Sequence, residues 1–206
     1  MKAAAALQAL AYAAGVAAVF YAFGRLSLLL AISPGYAAPV WPAAGVALVA
    51  ILLYGYRVWP GILIGHFLVN VPTAFDTSSL EAVFKSVALP LAIAAGGTLQ
   101  AVCGAALIRR AIGPTIVLQD EKEVAKFLAL GGPVSCLISA SLGQISLWAS
   151  GMVPRQGIAF SWFTWWVGDT IGVMVAAPLL LAWLSPPPGS RGAPSPAQNR
   201  CPTRAR

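Results

Sequence analysis

Six apolar runs, at residues 4–23, 42–55, 58–71, 79–108, 122–149 and 157–184, are separated by charged residues or by proline and glycine. They constrain the chain more than any motif does. A hydrocarbon core about 30 Å thick takes about 20 apolar residues per helix, and lipid offers no partner to an open strand edge, so helices are the default. The expected fold is an all-α, polytopic transmembrane bundle of about six helices. A composition of 59% hydrophobic and 9% charged residues is what such a bundle requires and exceeds what a soluble domain needs. The first run reaches about 20 residues, longer than the apolar region of a cleaved signal, which makes it the first membrane helix.

Thirteen Lys and Arg against six acids give a net charge of +7. The basic residues are scattered between apolar runs instead of forming a patch, which argues for membrane topology and against a nucleic-acid partner. With a cytoplasmic N-terminus, the inner side receives Lys2, Arg57, Arg109, Arg110, Lys122, Lys126 and, beyond the last run, Arg191, Arg200, Arg204 and Arg206. The outer side then receives Arg25, Lys85 and Arg155. By the positive-inside rule both termini are expected in the cytoplasm. Cys103, Cys136 and Cys201 show no CxxC spacing, so neither a disulfide frame nor a metal site is expected.

Residues 42–55 and 58–71 would each reach only about 21 Å as helices. Each opens with a Trp-Pro pair, Trp41-Pro42 and Trp59-Pro60, proline suiting the first helical turn and tryptophan an interface. Two readings stay open: a tight helical hairpin lining a protein-enclosed cavity, or two tilted spans in thinned lipid. Gly61 and Gly65 are expected to mark close helix contact there. Residues 185–206, SPPPGSRGAPSPAQNRCPTRAR, have no apolar period and are expected to form a disordered, Pro/Arg-rich cytoplasmic tail, leaving 1–184 as the membrane domain.

The six acids can be assigned in turn. Ser78 to Glu81 reads S-x-x-E and Asp120 to Glu123 reads D-x-x-E, each at the start of an apolar run, which is the pattern of a capping box, so Glu81, Asp120, Glu121 and Glu123 are read as structural. Glu81 also stands four residues before Lys85, at ion-pair spacing. Asp76 falls in a polar loop. Asp169 remains, close to mid-membrane, where an ionisable group is costly and faces the bundle interior. At helical spacing it shares a face with Trp162, Trp165, Trp166, Val173 and Ala176, beside a seam of Thr164, Gly168, Gly172 and Ala176 that lets a second helix come close. Asp169 is either a ligand or proton site or a structural pin between helices.

His66, the one histidine, lies about as deep as Asp169, some 12 Å from the inner end of its segment, and is the candidate partner. A single histidine with no cysteine near it gives no conventional zinc or haem site, and no cofactor is expected. The polar stretches Gly96-Gly97-Thr98-Leu99-Gln100 and Ser135, Ser139, Ser141, Gln144, Ser146 suit hydrogen bonds that glue helices together. No Ser-His-Asp spacing, P-loop or carboxylate pair emerges, so no catalytic residue is named and an enzyme is not expected.

Four stretches, WPAAGVALVAILLYGYRVWPGILIGHFLVN, GGTLQAVCGAALIRR, VLQDEKEVAKFLAL and TWWVGDTIGVMVAAPLLL, follow one another along the chain. In that order they resemble the motifs of the bacterial membrane-associated sensor domain of type one, the MASE family. The resemblance covers residues 41–184, and Trp165, Trp166, Gly168 and Asp169 carry its most distinctive block. It implies a multi-pass sensory domain of the bacterial inner (cytoplasmic) membrane, serving a cytoplasmic output module of kinase or cyclic-di-GMP type, as in two-component signalling. The chain departs from the family pattern in Gly97 and Gln100, where relatives often carry Asn and Glu, and in His66, where a small residue is common. Its low-complexity tail stands where relatives continue with two more spans and the output module, so a truncated frame, a fragment and a stand-alone sensor all stay open.

The expected function is to sense a small ligand or membrane state and to pass it to a cytoplasmic partner absent from this chain. Expected partners are the lipid bilayer, an unidentified small molecule, and a signalling protein or a second copy of the chain. Candidate ligand-binding or signal-sensing residues are Asp169, Trp165, Trp166, His66, Trp41, Asn70 and Gln100, and candidate helix-packing residues are Gly168, Gly172, Gly61 and Gly65. A small-solute permease or transporter substrate-binding subunit is the alternative, since short helices and an intramembrane carboxylate suit it too. Neighbouring signalling genes or ATPase genes would separate the two, and a purely structural membrane partner is a third reading.

Overall fold

The computed structural model describes residues 2–31, 37–73, 75–114 and 120–184. Within them the chain forms α1 (Lys2–Leu28), α2 (Pro42–Tyr54), α3 (Trp59–Asn70), α4 (Leu80–Ile112), α5 (Glu121–Ala129), α6 (Ser135–Ala149) and α7 (Ile158–Leu184). A π-helical turn, Leu130–Val134, joins α5 to α6, so Glu121–Ala149 is one rod and the bundle has six rods. The all-α expectation holds among the described residues. Four rods, Ala6–Leu28, Leu80–Ile112, Glu121–Ala149 and Arg155–Leu184, are long and apolar enough to cross a membrane. Helices α2 and α3, about 20 and 18 Å long, are not. The tail at 185–206, with Cys201, lies outside the described residues.

Helices α2 and α3 do not form the tight hairpin that one reading expected. Gly55, at φ +82°, and the 3-10 turn Tyr56–Val58 reverse the chain, but α2 then packs against α7, α1 and α4, and α3 against α1 and α4, rather than on each other. Their surfaces explain why. Every residue from Ala43 to Leu52 is buried, and a helix apolar all round is satisfied only at the centre of a bundle. Helix α3 has one small face: a Cβ at Gly61 would strike the Ala13 backbone, and one at Gly65 would lie 2.8 Å from the Ala17 carbonyl oxygen. Its other face exposes Trp59, Ile64 and Leu68.

The ends of the rods follow local chemistry. Helix α4 is capped by Ser79 and not, as the S-x-x-E pattern predicts, by Ser78. The Ser79 hydroxyl accepts from the Ala82 N–H at 3.1 Å, while the Ser78 N–H is already taken by the Asp76 carboxylate at 2.8 Å. That N–H holds the Asp76 carboxyl below the usual carboxylate range. Glu81 falls in the first turn and pairs with Lys85 at 2.6 Å on an exposed face, where such pairs contribute little. Asp120 caps α5, accepting from the Lys122 N–H at 3.3 Å. At the far end of α2, Arg109 donates to the carbonyls of Ile51 at 2.8 Å and Leu52 at 3.2 Å and lies 4.8 Å over the Tyr56 ring. A guanidinium there adds bonds to the last-turn carbonyls of a helix C-terminus, Ile51 O also accepting the Gly55 N–H at 2.9 Å, and favours its dipole.

Reading 122–149 as one unbroken helix misses the π turn, whose signal is LGGPV. Pro133 lacks an N–H and breaks the regular ladder. Side chains answer the carbonyls there: the Ser135 hydroxyl donates to Gly131 O at 2.7 Å and the Trp166 indole to Pro133 O at 2.9 Å. The main apolar core surrounds α2, with Leu48, Ile51, Phe127, Cys136 and Val173 among its members. A smaller one, Ala37, Ile93, Ala140, Leu147, Val153 and Trp165, includes Val153 of the α6–α7 turn.

Candidate functional site

Glycines decide what surrounds Asp169, which is 4% exposed on α7. Gly168 and Gly172 let the leading end of α2 lie directly on α7, since a Cβ at either would strike the carbonyl oxygen of Ala38 or Trp41. The Trp41 N–H also donates to Gly168 O at 3.0 Å. Gly45 of α2 completes the contact, an added Cβ there lying 2.8 Å from Gly172 O. Close backbone approach of this kind is what small residues permit between membrane helices. It holds the Trp41 ring beside Asp169.

From α6, Gly143 leaves room for the Trp165 ring, which an added Cβ would meet at 2.7 Å. The Trp165 indole donates to Ser139 Oγ at 3.2 Å. A hydroxyl that accepts this bond keeps its own hydrogen to donate, and both Ser139 and Trp165 are polar neighbours of the Asp169 carboxyl. His66 arrives from α3. Gly97 of α4 makes the space for it, because an added Cβ would run into the imidazole. Gly97 and His66, two of the three positions set apart from the family pattern above, thus meet, a ring from α3 standing against a residue of α4 with no side chain. Phe20 and Trp41 flank the imidazole, with ring centroids 4.9 and 6.1 Å away.

Trp41, His66, Trp165 and Asp169, with Ala37 and Ala38, line a cavity of about 10 Å³. That is room for about one water. His66 and Asp169, expected at equal depth, share it, and Nδ1 of His66 is buried without a hydrogen-bond partner. Three other candidates do not line it. Trp166 stacks on Trp162 at 6.1 Å and bonds to Pro133 O, Asn70 donates to His66 O at 2.9 Å, and Gln100 donates to Cys136 Sγ at 3.2 Å. Trp166 and Gln100 thus reach partners outside their own helices that helical spacing does not reveal, while Asn70 turns back on its own helix four residues earlier.

The polar stretches divide in the same way. Ser139 and Ser141 accept indole N–H groups from α7, and Gln100 reaches α6. Thr98, Ser135 and Ser146 instead donate to the carbonyl four residues earlier, a local bond that the gluing reading did not anticipate. Thr164 does likewise toward Phe160 O and stays out of the small-residue seam. Ala37 and Ala38 were not legible as lining residues, for nothing in their type marks them. Among the described residues no three His, Cys, Asp or Glu side chains gather as a metal site.

An apolar helical bundle with four rods long enough to cross a membrane, closed around a buried carboxylate, is a multi-pass membrane domain. More narrowly, the chain belongs to the MASE1 family, whose model matches residues 10–202, and it is therefore a membrane sensory domain of signalling proteins. Neither curated proteins nor solved structures match it.

Proposed function

We propose that this domain senses a polar species of a few atoms in the cavity of Trp41, His66, Trp165 and Asp169 and passes its occupancy to a cytoplasmic signalling partner. The observation that carries this reading is the convergence of four large side chains, from α3, α7 and the start of α2, on one small space that includes an intramembrane carboxylate. A carboxylate facing lipid costs at least about 2.5 kcal/mol on insertion scales, so its retention inside calls for a use. The output route follows the same contacts. The α7 turn bearing Asp169 is bonded to the start of α2, and Arg109 holds the other end of that rod, about 20 Å away. An occupant that displaces Trp41 moves α2 as a unit. The end that carries Arg57, Arg109, Arg110, Lys122 and Lys126 is the cytoplasmic one by the positive-inside rule, in a bacterial cytoplasmic membrane. A cavity of only about 10 Å³ also favours a sensed species over a transported solute.

A thermal-shift screen on the purified chain tests this, because a ligand that binds the folded state raises apparent stability by mass action. Asp169→Asn keeps the size and much of the hydrogen bonding but removes the charge. A compound that stabilises the parent and not this variant supports the site, whereas compounds that stabilise both alike bind elsewhere. Should Asp169→Leu be as stable and as responsive as the parent, Asp169 is neither ligand site nor pin, and the proposal fails.

A further inference from the structure

We propose that the α6–α7 seam is a hydrated access path, by which water and small polar solutes reach the Asp169 cavity from the turn between α6 and α7. It rests on the reading of that cavity as an input site. The bond from Trp165 to Ser139 sets the register of the two antiparallel helices. From that bond toward the turn, α7 reaches Ser161 after four residues and α6 reaches Gln144 after five, about 6 and 7.5 Å along their axes. The two side chains therefore stand at one level, and Ser161, Trp165 and Asp169 share a face at i, i+4 and i+8.

Both are buried, Gln144 at 3% and Ser161 at 8% exposure. Yet Nε2 and Oε1 of Gln144 and Oγ of Ser161 have no hydrogen-bond partner. An amide buried with both ends unmet is a costly exception, and its usual resolution is a water or ligand that supplies the missing bonds. Farther from the turn along α6, Ser139 and Ser141 are partnered by indoles of α7. The unmet groups thus mark a level where the seam is built to hold something polar, and Ser139, Trp165 and Asp169 continue the series of donors and acceptors inward. Val153, in the α6–α7 turn, is 5% exposed and packs in the small apolar cluster with Leu147 and Trp165, where it serves as the plug of the path.

The test uses the full chain with Cys103 and Cys201 changed to Ala, so that buried Cys136 serves as the internal reference. Ser161→Cys and Gln144→Cys are made singly, and the detergent-solubilised proteins are exposed to a small charged methanethiosulfonate. Both new thiols should react at least about tenfold faster than Cys136; adding Ser161→Trp to the Gln144→Cys protein should slow it by about tenfold, and adding Val153→Gly should speed it. A second measurement covers the case in which a cysteine variant does not fold. If the three atoms are dry, Gln144→Leu and Ser161→Ala remove unmet polar groups and raise the melting temperature; if they are hydrated, it stays or falls. Labelling no faster than Cys136, or a raised melting temperature in both apolar variants, overturns the path. Neither readout uses a ligand or a signal, so failure here is distinct from failure of the sensing proposal.

Discussion

Helices α2 and α3 both open on a Trp-Pro pair and run to 13 and 12 residues, yet α2 is buried along ten consecutive residues while α3 presents Trp59, Ile64 and Leu68 to the outside. The difference arises in the surfaces they bring and in those they meet. Helix α2 is apolar on every side and finds α7 opened for it by Gly168 and Gly172, so its backbone can approach another backbone. Helix α3 sets Gly61 and Gly65 against α1 and aims His66 inward, while its bulky apolar face is left for lipid. Length and opening motif therefore say little about where a short membrane helix lies. Its small residues, and those of its partners, say more.

The largest effect that can break this comparison is loss of the α2 seat. Gly172→Leu puts a side chain into the Trp41 carbonyl, which is backbone and cannot rotate away; a cost above about 4 kcal/mol is expected. Membrane yield and a monodisperse elution profile read the result, and a parent-like outcome would mean that α2 is not held against α7. Next in size is a matched pair of truncations. Leu48→Ala, at a position of α2 that is 1% exposed, should cost about 2–5 kcal/mol, whereas Leu68→Ala, 47% exposed on α3, should cost under about 1 kcal/mol. Equal losses of melting temperature would erase the distinction between an enclosed and a lipid-facing helix.

Smaller again is the anchor at the end of α2. Arg109→Met keeps the apolar stem but removes two charge-assisted bonds to Ile51 and Leu52, a loss of about 1.5–3 kcal/mol. Hydrogen exchange should quicken around residues 51–55 and not in α3; a uniform change would show that Arg109 supports the whole bundle. The smallest effect belongs to the turn that leaves α3, where exposed Asp76 accepts the Ser78 N–H. Its carboxyl is held below the ordinary range in the folded state, so the stability it contributes is present above about pH 4 and fades as the pH falls through the lowered folded-state value. Asp76→Asn should leave neutral-pH stability nearly unchanged and flatten only the acid limb of a melting-temperature profile.

Much of the bundle could be read in advance because lipid imposes a length on the four rods long enough to cross it and a polarity on the rest, and those leave marks in the order of residues. The interior position of Asp169 followed from the same cost. The cap of α4 falls one residue later than the S-x-x-E spacing predicts, because both serines suit a cap and only the backbone shows that Ser79, at φ −154° and ψ 162°, is the extended residue whose hydroxyl meets the first turn. The π turn was hidden in LGGPV, where glycine and proline signal a break but not its kind. Trp166, Asn70 and Gln100 looked as suitable for the cavity as Trp165 and His66 until their partners were seen, for residue type does not disclose which polar group a side chain has already met.

The sequence by itself determined that the chain is a helical membrane domain, where its rods begin and end to within a few residues, and that one carboxylate must be kept from lipid. These are consequences of local composition against a fixed solvent, the bilayer. Only the tertiary structure decided that α2 occupies the centre and α3 the side, that Gly97 stands opposite His66 and Gly143 opposite Trp165, and that Trp41, His66, Trp165 and Asp169 share one space. Those contacts join residues up to about 130 positions apart, where close packing between helices, rather than any local pattern, selects which small residue receives which large one.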